Sequence, residues 1–168
     1  MTAYLLVVGD REALGWILTE SRTAFPSAGR SEVSALSSGD TLFLYTTRGA
    51  FKNPTRDRGR VIGGAHVTTP VVRLDTPVRF GEREFPVGCD LALKSLAPLG
   101  EGVELAPLVG ALETFRSAGS AWSVRLRRPL VRLSDDDETL LTKALARVAV
   151  AQPDPTVRAE YTRWYELA

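Results

Sequence analysis

The sequence has very little of the side-chain chemistry that metal sites and disulfides require. Cys89 is the only cysteine and His66 the only histidine among the 168 residues. One cysteine excludes an internal disulfide, and one cysteine with one histidine excludes zinc ribbons and metal motifs built on histidine pairs. We therefore expect neither a metal ion nor another cofactor, and we expect Cys89 to be an inert, buried thiol.

The chain also lacks a long apolar run. No stretch approaches the roughly 20 apolar residues of a membrane-spanning helix. Its start, MTAYLLVVGD, has neither the basic residues nor the length of a secretory signal. We expect a cytoplasmic protein with no membrane partner. The hydrophobic content of 44% is enough for one domain with its own core, and the sequence leaves the oligomeric state open.

The net charge is small, but the positive charge is concentrated in two segments. The formal net charge of +1 does not by itself indicate a nucleic-acid partner. The first basic segment contains Arg48, Lys52, Arg56, Arg58 and Arg60, and the second contains Arg125, Arg127, Arg128 and Arg132. The planar guanidinium suits phosphate contacts, so both segments are candidate phosphate ligands. A solvated surface is the alternative interpretation of such segments.

Short segments rich in β-branched and aromatic residues predict a mostly antiparallel sheet. The predicted strands are residues 3–8, 41–47, 61–74, 76–80, 83–86, 89–96 and 129–133. Gly63-Gly64 and Pro70 interrupt the third strand, so we expect it to be bent, with glycines that permit a bulge or a close backbone approach. Gly81 separates two strands in the manner of a hairpin turn.

Helical periodicity of the apolar residues predicts four helices. They cover residues 11–21, 104–115, 135–148 and 156–168. Asp10 is a candidate N-cap of the first helix. Ser134, with Asp137 three residues later, resembles a capping box at the start of the third helix. The sequence Gln152-Pro153-Asp154-Pro155 interrupts the chain before the last helix.

Five segments, taken in order, carry a resemblance to a known family. They are residues 4–8, SGDTLFLYTT at 38–47, VIGGA at 61–65, LAPLVGALETF at 105–115 and AWSVRLRRPLVRLSDDD at 121–137. The ordered set resembles an EVE domain of the PUA-like superfamily, which is related to YTH and ASCH domains. The resemblance implies an α+β fold over residues 1–150, a curved, mostly antiparallel sheet or open β-barrel with flanking helices. Residues 151–168 would form a C-terminal helical extension.

The resemblance also implies a pocket that receives one base flipped out of a nucleic acid, since relatives are thought to read modified bases. Such a pocket needs aromatic faces that stack on the base and polar groups that contact its edge. Candidate pocket residues are Trp122, Phe25, Tyr45, Thr46, Thr47, Gly9 and Asp10. Candidate phosphate ligands are Arg48, Lys52, Arg56, Arg58, Arg60, Arg125, Arg127 and Arg128. The chain departs from many relatives at residues 23–26, where Thr-Ala-Phe-Pro replaces a Trp-Gly pair.

Each candidate also has a structural interpretation that needs no ligand. Trp122 suits a core position, Phe25 an apolar anchor of the chain, Tyr45 a core side chain and Asp10 a helix cap. The residue types alone do not decide between the two interpretations.

The main functional hypothesis is a non-enzymatic module that binds DNA or RNA and reads a modified base. One alternative is a hydrolase that acts on nucleic acid or a nucleoside, in which His66 or Asp40 would take part. Another is a small-molecule or protein-binding module whose arginines are only solvated surface. The sequence contains no G-x-S-x-G nucleophile motif and no glycine-rich loop with phosphate-binding spacing.

Overall fold

A strongly curled sheet, forming half of a barrel, organises the chain, and helices flank it. The computed structural model describes residues 1–27, 29–51 and 58–166, and within these residues the sheet has nine strands. The strands are β1 (Ala3–Val8), β2 (Arg22–Phe25), β3 (Thr41–Thr46), β4 (Arg60–Val67), β5 (Val72–Phe80), β6 (Arg83–Leu96), β7 (Val103–Glu104), β8 (Leu130–Leu133) and β9 (Val150–Ala151). The helices are α1 (Arg11–Glu20), α2 (Ser31–Ala35), α3 (Glu113–Arg116), α4 (Asp135–Ala146) and α5 (Pro155–Glu166). The architecture is the α+β class that the sequence predicts.

The strand order is β2-β6-β4-β3-β1-β8, with β5 and β9 paired to β6 and β7 paired to β4. β1 and β3 run parallel, from Ala3 opposite Thr41 to Val8 opposite Thr46. The other strand pairs of the described chain are antiparallel. Because β1 and β3 are parallel and in register, the loops that follow them leave the same edge of the sheet.

β1 is buried on both faces of the sheet, because its alternate side chains enter two different clusters. Tyr4, Leu6 and Val8 pack with α1 and α5. Ala3 and Leu5 pack in the cluster that contains residues of α3 and α4. The helices therefore cover the sheet on both sides.

Gly63 in β4 is required by a close approach between strands. A Cβ atom at this position would lie 2.5 Å from the carbonyl oxygen of Ser95 in β6. The β4–β6 register also shifts between Gly64 and Ala65. Both observations confirm the expected close backbone approach and irregularity at the paired glycines.

Two of the predicted elements are wrong. The bent strand predicted over 61–74 ends at Val67, and β5 is a separate strand that begins at Val72; Pro70, which has no N–H for a ladder bond, lies in the gap. The helix predicted over 104–115 is instead a 3-10 segment, Ala106–Leu108, followed by a turn and α3. Pro107 and Gly110 disfavour a continuous α-helix there.

Other predicted elements are confirmed with small changes of boundary. β1, β3, α1, β8 and α4 match their predictions within about two residues. The hairpin at Gly81 forms, with Phe80 opposite Arg83, but the two strands predicted after the turn are one continuous strand, β6. The short elements β2 and α2 have no counterpart in the prediction.

The last helix packs onto the sheet. Val157 and Tyr161 of α5 belong to the cluster that contains α1, and the Tyr161 hydroxyl donates to the carbonyl oxygen of Ala97 at 2.7 Å. β9 pairs with β6 just before this helix. None of the helices in the part of the chain described above is long and apolar enough to span a bilayer.

Candidate functional site

A cleft of about 350 Å³ opens at the edge of the sheet where β1 ends. Its walls come from the β1–α1 turn, α1, β2, the β5–β6 hairpin and residues 126–129. This volume lies at the small end of the range for ligand-binding pockets. The cleft can therefore accommodate a small group rather than a large cofactor.

Aromatic side chains form one side of the cleft. They are Trp16, Phe25, Phe80 and Phe85. The ring centroids of Trp16 and Phe80 are 5.8 Å apart in an edge-to-face arrangement, and those of Phe80 and Phe85 are 5.0 Å apart. Phe25 is fully buried, whereas Trp16 and Phe85 are half-buried. The rings of Trp16 and Phe85 can therefore present part of a flat face to a ligand.

The hairpin register brings the phenylalanines together. Phe80 pairs with Arg83 and Val78 with Phe85, so Phe80 and Phe85 are diagonal neighbours on one face of the hairpin. Trp16 joins them from α1 because it lies beside the buried stripe of that helix, which consists of Leu14, Ile17 and Leu18.

A polar rim follows from the parallel pairing of β1 and β3. Gly9 and Asp10 follow β1, Thr47 follows β3, and all three line the cleft. The Thr47 amide donates to the Val8 carbonyl oxygen at 3.0 Å. Asp10 also caps α1, since its Oδ1 accepts from the amides of Glu12 at 2.7 Å and Ala13 at 3.2 Å. The expected capping role of Asp10 is confirmed, and the same side chain lies at the cleft.

Arginines give the rim a positive charge. Arg83, Arg127 and Arg128 line the cleft. The Arg83 guanidinium lies 5.2 Å from the ring centroid of Phe85. The Arg128 Nη1 lies 2.8 Å from Oε1 of Glu32 in α2. With Asp10 as the only carboxylate among the described lining residues, the cleft favours an anionic or electron-rich ligand.

The structure brings four of the seven predicted pocket residues together. Phe25, Thr47, Gly9 and Asp10 all line the cleft. The other three, Tyr45, Thr46 and Trp122, lie elsewhere among the described residues.

Those three side chains have structural contacts. Tyr45 is buried in the cluster that contains α3 and α4, and burial raises the pKa of its hydroxyl. The Thr46 hydroxyl donates to the carbonyl oxygen of Arg60 at 3.3 Å. Trp122 is half-buried and packs edge-to-face on Phe115, with ring centroids 6.1 Å apart.

The two basic segments differ in their relation to the cleft. Arg127 and Arg128 line it, and Arg125 lines a groove beside it. Arg48, Arg58 and Arg60 do not line it.

Within the first basic segment, the side chains contact other parts of the fold. Arg58 pairs with Glu104 at 3.6 Å, and the Arg60 guanidinium donates to the Gly100 carbonyl oxygen and lies 5.9 Å from the Phe51 ring centroid. Lys52 and Arg56, also predicted as phosphate ligands, lie outside the described residues.

Four of the aromatic and charged lining residues are absent from the sequence-based prediction of the site: Trp16, Phe80, Phe85 and Arg83. The position of Trp16 off the apolar stripe of α1 was the available signal. The other three become visible only once the hairpin register is known, because that register and the packing of the hairpin over α1 and β2 are long-range features.

The residues proposed for a hydrolase lie away from this cleft. His66 is exposed and lines a different cavity, between the sheet and α4. Both carboxylate oxygens of Asp40 accept backbone amides, from Thr2 at 2.9 Å and Ser37 at 2.8 Å. Cys89 is buried, and desolvation together with the nearby Asp90 charge raises the pKa of its thiol to about 12. No group of three or more His, Cys, Asp or Glu side chains that could hold a metal ion lies within residues 1–27, 29–51 and 58–166.

Comparison with known proteins gives matches in structure. No protein-family model matches the sequence, and a search of curated proteins finds no match. Rpa0253 from Rhodopseudomonas palustris is similar in structure, with a TM-score of 0.55 and 16% identity, covering 88% of this chain and 94% of that one. Human THYN1, solved with DNA containing 5-methylcytosine, matches with a TM-score of 0.53 and 10% identity, covering 86% and 98%.

The YTH domain of Mmi1, solved with RNA, matches with a TM-score of 0.55 and 13% identity. The match covers 88% of this chain and 82% of that one. At these identities the likeness is one of fold. The curled sheet with flanking helices is the PUA-like fold.

Proposed function

We propose that this protein is a non-enzymatic nucleic-acid-binding module of the EVE type, whose cleft receives one modified or unusual base flipped out of DNA or RNA. The observation that carries the proposal is the combination, in one cleft of about 350 Å³, of half-buried aromatic rings and a rim of arginines. The likeness of fold to proteins solved with 5-methylcytosine-containing DNA and with RNA supports it.

The aromatic side supplies the energy that base extrusion requires. Taking a base out of a duplex costs a few kcal/mol, and stacking on an aromatic side chain returns about 1–3 kcal/mol per base. Trp16 and Phe85, the two half-buried rings, are the proposed stacking partners. Phe25 and Phe80 support them from below, because both are buried.

The polar rim supplies recognition and orientation. The Asp10 carboxylate can accept a hydrogen bond from the base edge while its Oδ1 caps α1, since a carboxylate has several acceptor sites. The Thr47 hydroxyl can donate or accept beside it. Arg127 and Arg128 are the proposed phosphate ligands at the mouth, where contacts position the strand without reading sequence.

The test is a binding panel read by fluorescence anisotropy. Labelled single-stranded and duplex DNA and RNA oligonucleotides carry one central cytosine, 5-methylcytosine, 5-hydroxymethylcytosine, adenine or N6-methyladenine in otherwise identical sequences. We expect one base to bind about tenfold more tightly than its unmodified counterpart, which corresponds to about 1.4 kcal/mol. Absence of binding to every oligonucleotide would overturn the proposed function.

The role of the cleft is tested by matched phenylalanine variants. Phe85→Ala should abolish the preference between bases while weaker, salt-dependent binding through the arginines persists. Phe51→Ala is the control, because Phe51 is also half-buried but packs on Trp164 away from the cleft. If Phe85→Ala keeps a normal melting temperature and full base preference, the base does not bind here.

The predicted stacking role of Trp122 is tested in the same assay. Trp16→Ala and Trp122→Ala each remove one half-buried tryptophan, and only the first lines the cleft. Loss of base preference in Trp16→Ala alone supports the proposed site. Loss in Trp122→Ala alone would assign stacking to Trp122 instead.

A further inference from the structure

A second cavity, of about 540 Å³, lies directly beside the cleft. Its walls come from α2, α3, the 3-10 segment Gly119–Arg127 and β8. We name it the β8 groove. It is more open than a core cavity, because most of the 3-10 segment is exposed to solvent.

The lining of the β8 groove is basic with an apolar floor. Arg125, Arg128 and Arg132 line it, together with a single carboxylate among the described lining residues, that of Glu32. Within the described chain, neither Arg125 nor Arg132 lies within ion-pair distance of a carboxylate. Val124, which is 50% exposed, provides an apolar surface next to these cations. Cations beside an apolar surface match the mixed chemistry of a nucleotide.

Arg128 connects the cleft and the groove, since it lines both. Its backbone is extended, and it lies directly between the 3-10 segment and Pro129. Its guanidinium is held at 2.8 Å by Glu32, whose side chain is only 17% exposed against 58% for Arg128. The cation at the junction is therefore occupied by the one carboxylate of the groove.

We propose that the β8 groove binds the nucleotide next to the flipped base, with its phosphate on Arg128 and Arg132 and its sugar or base against Val124. This inference rests on the proposed function of the cleft. Continuity through Arg128 favours a nucleic-acid strand over an acidic peptide, because one strand would fill both cavities in succession. The phosphate takes the place of the Glu32 carboxylate on Arg128, so Glu32 opposes binding.

The role of Glu32 gives an unusual prediction for a substitution at a binding site. Glu32→Gln removes the competing negative charge and leaves the side-chain volume almost unchanged. We expect it to bind the preferred oligonucleotide of the cleft panel about three- to tenfold more tightly at low salt. A structural role alone predicts unchanged or weaker binding.

The arginines give the complementary prediction. Arg125→Gln with Arg132→Gln should weaken binding at least about tenfold, equally for all bases. It should also reduce the slope of log affinity against log salt by up to about 0.7, which corresponds to one phosphate contact on a single strand. The matched control is Arg147→Gln with Arg163→Gln, which removes the same charge from two exposed positions outside both cavities, the residue that follows α4 and a residue of α5.

The outcomes separate the groove from the cleft. If the groove variants bind like the control while the preference between bases persists, the groove assignment fails and the proposed function survives. If no oligonucleotide binds to any form of the protein, both fail. A poly-glutamate peptide serves as competitor. If the Arg125 and Arg132 substitutions weaken binding of the peptide but not of the oligonucleotides, the groove is a peptide site and the proposal is overturned. Normal melting temperatures of all variants confirm that folding is retained.

Discussion

Replacing Asp137 should destabilise the protein more than replacing any of its acidic neighbours. Its side chain is buried, and the carboxylate accepts three hydrogen bonds at the start of α3. The donors are the Glu113 amide at 2.8 Å, the Thr114 amide at 3.1 Å and the Thr114 hydroxyl at 2.9 Å. Asp137→Ala would leave all three donors without this acceptor.

The magnitude follows from the cost of unsatisfied buried donors. Each costs about 1–3 kcal/mol, and hydrogen bonds to charged groups lie toward the upper end. Glu113 is exposed, so water can replace its bond in part, and the Thr114 hydroxyl can donate instead to the carbonyl oxygen of Arg132 at 3.0 Å. We therefore expect a loss of about 3–4 kcal/mol in the free energy of unfolding. For a chain of 168 residues this lowers the melting temperature by about 10 °C.

Urea unfolding followed by tryptophan fluorescence measures this loss. Asp136→Ala is the matched control, because Asp136 lies in the same first turn of α4 but is exposed. It should lose only the helix-dipole contribution of about 0.3–1 kcal/mol. Thr114→Val combined with Asp137→Ala completes a double-mutant cycle. A difference below about 1 kcal/mol between Asp137→Ala and Asp136→Ala would refute the argument.

Three further predictions concern the fold and can be checked in the same unfolding experiments. Gly88→Ala should cost about 1–3 kcal/mol, because its Cβ would lie 2.5 Å from the Thr23 carbonyl oxygen across β2 and β6. An unchanged urea midpoint would contradict this. Stability should fall as the pH rises above about 9, since burial raises the pKa of Cys89 to about 12 and also raises that of Tyr161, so the unfolded chain releases these protons first. A midpoint at pH 10.5 equal to that at pH 8 would argue against it. Deleting residues 153–168 should abolish cooperative unfolding, because Val157 and Tyr161 leave the core; a cooperative transition in the shortened chain would instead show that residues 1–152 fold alone.

Local patterns in the sequence were enough to predict the elements whose signals are strong and continuous. β1 and β3 are short apolar runs bounded by turn residues, and α1 combines a cap with a clear apolar stripe. The apolar residues of the segment 104–115 recur at helical spacing, and this spacing led to the wrong prediction of one continuous helix. Leu105, Leu112 and Phe115 are indeed buried, but successive turns rather than one helix bring them to the core.

The predicted capping box forms only in part. The Ser134 hydroxyl accepts from the Asp137 amide at 3.1 Å, as predicted. The Asp137 carboxylate does not complete the box but binds the start of α3. The local pattern indicated that the Asp137 side chain would bind the start of its own helix, but a tertiary contact with α3 is formed instead.

The candidate site could be predicted in the part that depends on strand ends. Gly9, Asp10 and Thr47 follow two adjacent strands, and Phe25 is an aromatic residue of the segment 23–26, where the chain departs from many relatives. The aromatic residues of the hairpin could not be predicted, because their position depends on how a distant hairpin packs over α1. Trp122, one of the candidates on sequence grounds, packs on Phe115 outside the cleft.

The contacts between α5 and α1 affect the rigidity of the cleft. Arg11, the first residue of α1, donates to the carbonyl oxygens of Trp164 and Tyr165, and Arg158 of α5 donates to that of Leu18. Both ends of α1 are thus clamped by a helix that contributes no residue to the cleft lining. Asp10 and Trp16 lie on the side of the cleft that moves with α1. The contacts of the C-terminal helix with α1 therefore limit how far this side of the cleft can move. An alteration at the C-terminal end of the protein that loosens α5 would consequently change ligand affinity without touching the binding surface.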